Sequence, residues 1–418
     1  MIKDILIEQN LHWQGKIYSG VKRKKLTKLI KYLPLKQIIT ITGIRRCGKS
    51  TLLKQAISYL INEGVNPKNI LFVNLEHPYF LDFYSNPLIF EKIYEEYIKL
   101  IDPKGKIYIF FDEIQYISNW QVYIKSKYEL DNIKFIITGS NSSMLSNELN
   151  SMLSGRNLNI HLSPFDFEEF LWYKRIEYKS EFDRIKNKID ILRAKEEYLK
   201  WGGFYEVFST NDEEIKKDIL ISYAKNIIYQ DIVPRYKIRN ATLLERLFFY
   251  LLSQTSNILN YTNISKTFEI SDKSLKEYLN YFEDVFLVKR IDKFSTKFKE
   301  RIKSSKKLYI LDNGFLQIYP KYSINSGVAL ENLVFNHLNN NYKEITYFKK
   351  TYEIDFVTNN KLIQVSFNIE NEKTLQRELR AFRDFPFEAQ KFLVTFNENK
   401  KIDDVEVISF DEFVFEYL

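Results

Sequence analysis

Cysteine is all but missing from this chain: Cys47 is the only one in 418 residues. A single thiol cannot close an intramolecular disulfide, and with four histidines no zinc-binding spacing is present. Long hydrophobic runs are missing too, and none approaches the roughly 18 residues that a membrane helix needs. The opening MIKDILIEQN lacks the basic-then-apolar layout of a signal peptide. The expected setting is therefore cytoplasmic, with no membrane partner. Glycine (12) and proline (9) are scarce, beside an abundance of Lys, Ile, Asn, Tyr and Phe. That bias is a compositional habit from which no function follows, but it makes any regular glycine spacing harder to reach by chance.

What is present is the composition of a globular protein, 45% hydrophobic and 28% charged, which excludes a disordered chain. The length exceeds one ordinary core and predicts two to four domains. A net charge of +8 permits nucleic acid or an acidic partner without requiring either.

Residues 38–53 read IITITGIRRCGKSTLL. A β-branched run leads into Gly43, then Gly48-Lys49-Ser50-Thr51, then a helical segment, which is G-x-x-x-x-G-K-[ST] in its required strand–loop–helix setting. The glycines let backbone N–H groups turn toward phosphate oxygens, and the helix start adds its positive end. Lys49 would reach the β- and γ-phosphates of ATP, and Ser50 would hold Mg²⁺. The continuous apolar run 107–111 predicts a strand buried on both faces, and it ends in Asp112 and Glu113. Open α/β sheets bind ligands at that edge, so Asp112 suits the Mg²⁺ shell and Glu113 the attacking water. A second strand is expected at 70–75, a helix at 87–100, and a further strand at 134–140 followed by a helix. Thr138, Ser140 and Asn141 are equal candidates at the end of the last strand to position the water or sense the γ-phosphate. Gly155-Arg156 precedes a strand at 158–162. Arg156 reads either as an arginine finger for a neighbouring subunit or as a surface residue capping a helix.

Together GIRRCGKSTLL, FFDEIQ, ITGSNSSML, LSGR and LSPFDFEEF resemble a prokaryotic family of AAA+-type ATPases that carry a C-terminal region of unassigned function. The resemblance covers nearly the whole chain and is strongest over 38–171. It implies that Asp112 and Glu113 form the Walker B pair, that Ser140 or a neighbour is the sensor, and that Arg156 acts in trans, in a nucleotide-dependent homo-oligomer. Arg45 and Arg46 match the family's paired loop arginines, for which phosphate contact and a grip on the adjacent strand both remain open. The resemblance also places a helical lid at 171–240, where Trp201-Gly202-Gly203 is either a hinge or a plain interhelix turn.

The basic run Lys22-Arg23-Lys24-Lys25 reads first as a solvated helix face, with contact to a polyanion as the alternative. Residues 241–311 have a helix–turn–helix layout, with Ser271 capping the third helix and two strands forming a wing. Nine basic and two acidic residues lie between Lys289 and Lys307. Acidic residues on the third helix make it a poor major-groove helix, so if DNA is bound Lys297, Lys299, Arg301 and Lys303 are the candidate contacts, and a winged helix serving only protein contact or spacing is the alternative. In 312–418, Glu331 on a helix, Asp355 on a strand and Gln364-Val365-Ser366 on the next are similar to the core of PD-(D/E)xK nucleases. There carboxylates hold a metal and a lysine supports attack. Ser366 stands where that lysine belongs, with Lys349, Lys350 or Lys361 as substitutes nearby, and the expected domain is non-catalytic.

The expected fold is thus α/β. A P-loop parallel-sheet ATPase domain (1–170) and helical lid (171–240) precede a winged helix (241–311) and a small restriction-nuclease-like α/β domain (312–418). The expected function is an ATP-hydrolysing switch or motor. The alternatives are an ATP-gated module binding DNA or a protein partner with little turnover, or an ATP-dependent nuclease.

Overall fold

The structure, a computed structural model, describes residues 2–18, 20–129, 132–141, 155–319 and 325–416. The helix expected after the strand at 134–140 lies outside the described residues. The chain divides into two units, residues 1–163 and 164–418.

In the first unit five parallel strands, β1 (Ile38–Thr42), β2 (Ile70–Asn74), β3 (Ile107–Asp112), β4 (Ile133–Gly139) and β5 (Asn157–His161), lie in the order β2-β3-β4-β1-β5. Their apolar runs follow from this topology, because crossover helices cover both faces and leave no polar side to alternate toward. Strands β1 and β4 are buried along their whole length. Parallel pairing also places every carboxyl end on one edge, and that edge receives the loop after β1 and the acids after β3.

An exposed outer strand would offer unpaired backbone groups to other chains. Strand β2 avoids this through the segment after helix α1 (Ile2–Gln9). Asn10 donates to Phe72 O (2.9 Å) and accepts the Phe72 N–H (2.7 Å), Gln9 accepts the Asn74 N–H, and Trp13 Nε1 donates to Ile70 O (2.8 Å).

The second unit opens with helices Phe167–Lys174, Glu181–Lys186, Lys188–Trp201 and Glu213–Asn226. Asp166 and Glu169 close a reciprocal capping box at the first, which explains why the run FDFEEF turns helical there. The glycine pair behind Trp201 is pinned. A Cβ on Gly203 would lie 2.1 Å from Phe165 O, one on Gly202 would lie 2.0 Å from Asp312 Oδ1, and Asp312 Oδ2 accepts the Gly203 N–H at 2.8 Å. These contacts favour a packed turn over a hinge. Gly203→Ala is expected to lower stability by about 2–3 kcal/mol through overpacking, read as a lower urea midpoint. An unchanged midpoint would show that the backbone yields.

Helices Ala241–Leu252, Tyr261–Phe268 and Asp272–Asp284 follow, the last capped by Ser271 accepting the Ser274 N–H at 3.0 Å. Strands β6 (Val288–Lys293) and β7 (Lys307–Ile310) form an antiparallel hairpin. The remaining strands are β8 (Thr346–Lys349), β9 (Glu353–Thr358), β10 (Lys361–Val365), β11 (Gln390–Thr395), β12 (Lys400–Ile402) and β13 (Val405–Ser409). They join the hairpin in one mixed sheet, ordered β12-β13-β11-β10-β9-β8-β6-β7. The sequence suggests a boundary after residue 311, yet strands from both sides share this sheet, because β6 pairs in parallel with β8 at Asp292↔Thr346 and Lys293↔Tyr347.

Candidate functional site

The loop from β1 runs to helix α3 (Lys49–Asn62), with α2 (Lys25–Tyr32) earlier in the chain. Gly43 is required by close approach, since a Cβ there would sit 2.0 Å from Leu162 O. Gly48 caps α3 at φ +97° and supplies no side chain to its first turn, and Arg46 is also left-handed at φ +68°. Among the described residues no side chain caps the first turn of α3, the part of a helix whose backbone N–H groups suit an anion. Lys49 is buried, its Nζ donating to Gly43 O (3.1 Å) and Ile44 O (3.3 Å) and lying 3.1 Å from Glu113 Oε1. Burial opposes its charge, but Glu113, with Cys47 and Asp112 behind it, holds the ammonium pKa above the usual value.

Two arginines hold the loop in place. Arg45 donates to Glu76 Oε1 (2.7 Å) and Tyr116 Oη (2.8 Å), which ties the loop to the segments after β2 and β3. Of the two roles open from sequence, this geometry favours the grip. Arg46 stands exposed on the same loop, and Thr51 lies one residue beyond Ser50 in α3. Arg23 corrects the reading of the basic run as a solvated helix face. It is 1% exposed, precedes α2, and donates to Cys47 O (2.5 Å) and Ser163 O (2.7 Å). A guanidinium presents a rigid fork of donors, and here it ties the phosphate loop to the segment beyond β5.

Asp112 and Glu113 leave the carboxyl end of β3 beside this loop. Thr138 at the end of β4 joins them, donating to Asp112 Oδ1 (2.6 Å) and accepting the Glu113 N–H (2.9 Å). Burial, and next Glu113, push Asp112 up to about 6, against hydrogen bonds from Ser50 and Thr138. For Glu113 burial works upward but Lys49 outweighs it, helped by Gln115 and Arg45, and the carboxyl stays below its usual value. Gln115 is a residue that sequence reasoning passed over. Its Nε2 donates to Glu113 Oε2 (2.5 Å) and Ser140 Oγ (3.2 Å), while its buried Oε1 has no partner among the described residues. Its place in FFDEIQ, two residues after Glu113, was the signal available.

These residues fit ATP·Mg²⁺. No side chain caps the first turn of α3, the Ser50–Asp112 hydrogen bond brings together a hydroxyl and a carboxylate oxygen of the kind a hard cation takes, and among the described residues Gln115 keeps an unpaired acceptor beside Glu113. Of the three strand-end candidates, Thr138 orients the acids and Ser140 meets Gln115, while Asn141 is buried at the same edge.

The other sequence-derived residues lie elsewhere. Arg156 precedes β5, its carbonyl accepting the Ile38 N–H at the amino edge of the sheet. Five residues of strand, about 16 Å, separate that edge from the phosphate loop, so Arg156 does not reach the loop. It pairs with the exposed Glu129 (2.5 Å) over the Tyr128 ring. On the β6–β7 connection, Arg301 is bound by Asp292 (3.0 Å) and Glu344, and Lys297 by Glu300 (3.1 Å). Lys299 and Lys303 stay exposed there beside Phe298 (77%) and Ile302 (59%). Glu331 and Asp355 do come together, around Lys307. Gln364 instead accepts the Asp355 N–H (3.2 Å) and donates to Glu378 (2.7 Å). Lys349 pairs with Glu353, and Lys361 donates to Tyr342 Oη. Among the described residues no helix is long and apolar enough to cross a membrane.

A family model described as an AAA domain matches residues 35–171, and one described as a domain of unknown function (DUF8612) matches 192–320. An uncharacterized protein of Methanocaldococcus jannaschii is 32% identical over 417 residues, spanning 95% of this chain and 90% of the relative. An uncharacterized protein of Haemophilus influenzae is 31% identical over 396 residues, spanning 92% and 95%. Among solved structures, a Walker-type ATPase of Pyrococcus abyssi aligns with 72% of this chain and 96% of its own, at 15% identity and a TM-score of 0.45. That likeness is too loose to bear on function.

Proposed function

The chain belongs to a P-loop ATPase family of the AAA type whose C-terminal part is a domain of unknown function, and we propose that it works as an ATP-hydrolysing switch. The observation that carries this reading is the meeting of Lys49, Ser50, Asp112, Glu113 and Gln115 at one sheet edge. In it, Lys49 and the first turn of α3 bind the phosphates. Bound Mg²⁺ would neutralise charge on the phosphate oxygens, held by Ser50 and Asp112. Glu113 takes the proton of a water that Gln115 Oε1 helps to orient, with Ser140 fixing the amide.

Glu113 is not at liberty without nucleotide, because Lys49 holds one carboxylate oxygen and Gln115 the other. Phosphates that draw Lys49 away therefore also release the base, which couples binding to activation. The deciding experiment is phosphate release from ATP, with and without single- and double-stranded DNA. Turnover supports the switch. Absence of turnover with tight ATP binding favours the gated module.

That second reading rests on Lys299 and Lys303, exposed beside Phe298 and Ile302 on the hairpin connection. A basic surface of this kind in a winged helix gives salt-sensitive binding to duplex DNA, lost when both lysines are neutralised. No affinity at low salt would leave a protein partner as the target.

Arg156, placed beyond reach of its own loop, suits a neighbour's nucleotide in a homo-oligomer. Arg156→Ala is expected to keep ATP affinity and lose turnover by about 1,000-fold, and the wild type is expected to self-associate with ATP in sedimentation. A monomer with full activity would contradict this.

A further inference from the structure

The C-terminal sheet holds a second cluster of buried charge. Lys307 on β7 is 1% exposed, and its Nζ lies 2.8 Å from Glu331 Oε1, 2.8 Å from Glu353 Oε1 and 2.9 Å from Asp355 Oδ1. An ammonium has three N–H donors and no acceptor, so these three oxygens take up its whole capacity. The carboxylates come from helix Ser326–Asn341 and from β9, the lysine from the hairpin.

Carboxylates on a helix and the adjoining strand are what a nuclease-like core uses to hold a divalent cation. The oxygens here do not fit one. Asp355 has both committed, Oδ1 to Lys307 and Oδ2 to the Val365 N–H (3.0 Å). Glu331 Oε1 also accepts the Tyr309 hydroxyl (2.8 Å), and Glu353 Oε2 pairs with Lys349 (3.0 Å). Gln364 has its oxygen on the Asp355 N–H, and Ser366 Oγ donates to Asn368 O (2.9 Å). The ligand positions thus face donors of the chain itself.

We propose that Lys307 is a built-in counter-cation, its ammonium standing where a nuclease-like core would hold a divalent metal and fastening the β6–β7 hairpin to the C-terminal sheet. Removing one partner of a buried ion cluster leaves uncompensated charge, which is strongly unfavourable. Burial works against the ammonium, yet Asp355, Tyr309, Glu331 and Glu353 hold its pKa well above the usual value. Two consequences follow. The intact chain has no metal-dependent cleavage through this cluster, and taking the ammonium away opens a divalent-cation site.

The test is Mn²⁺ binding to the full chain without nucleotide, read from the electron paramagnetic resonance signal of free Mn²⁺. The wild type is expected to bind none that depends on Asp355. Lys307→Ala is expected to gain one Mn²⁺ per chain, lost again when Asp355→Asn is added, with a Tm that Mn²⁺ raises in the single variant alone. Asp355-dependent Mn²⁺ binding by the wild type would overturn the proposal, as would a folded Lys307→Ala that binds none. Should Lys307→Ala not fold unaided, Mn²⁺ during refolding is expected to restore it, and failure to restore it also overturns the proposal.

Discussion

Lys49→Ala is expected to weaken ATP binding about 100-fold or more, measured by calorimetry on the ligand-free protein. Charge-assisted hydrogen bonds are worth roughly 1.5–3 kcal/mol each, and a lysine bridging two phosphates makes at least two. Tenfold in affinity corresponds to about 1.4 kcal/mol, so two lost bonds reach that factor. The alanine has a second effect, because Lys49 is the cation nearest the buried Glu113 carboxylate. Its removal leaves that carboxylate uncompensated, and the melting temperature should fall as well. Recording both separates the effects: a well-folded variant that keeps wild-type ATP affinity would remove Lys49 from the phosphate site.

Glu113→Gln is expected to do the reverse, keeping ATP and losing phosphate release by about 100-fold or more, the scale of a missing general base. The amide has nearly the shape of the carboxylate, and the backbone N–H to Thr138 is untouched. What disappears is the negative charge that holds Lys49 in the ligand-free protein. The variant should therefore bind ATP as tightly as the wild type or more tightly. Equal turnover in the two proteins would sink the assignment of Glu113 as base. Weaker binding would mean that the ion pair with Lys49 pre-forms the site instead of opposing the ligand.

Legibility in the sequence differed from residue to residue. Gly43 and Gly48 were readable because the backbone demands they meet, a close approach and a left-handed turn, are written within a few residues. Asp112 and Glu113 were readable because a strand buried on both faces must end at the ligand edge. Arg23 was misread because charge runs are judged by their average, whereas its acceptors lie at Cys47 and Ser163. Arg45 stayed undecided until Glu76 and Tyr116 came within reach, and Gln115 was in view but had no partner to give it a role.

The sequence by itself determined the α/β class, the phosphate loop and the acids facing it, since each depends on neighbours in the chain or on strand-end position. Only the tertiary structure decided which side chains meet across distance. It tied Arg23 to the loop, moved Arg156 to the opposite edge of the sheet, and set Lys307 among Glu331, Glu353 and Asp355. The physical reason is that hydrophobic periodicity and turn chemistry act over a few residues. The partner of a buried charge, by contrast, is set by strand order and register, which bring together residues far apart in the chain.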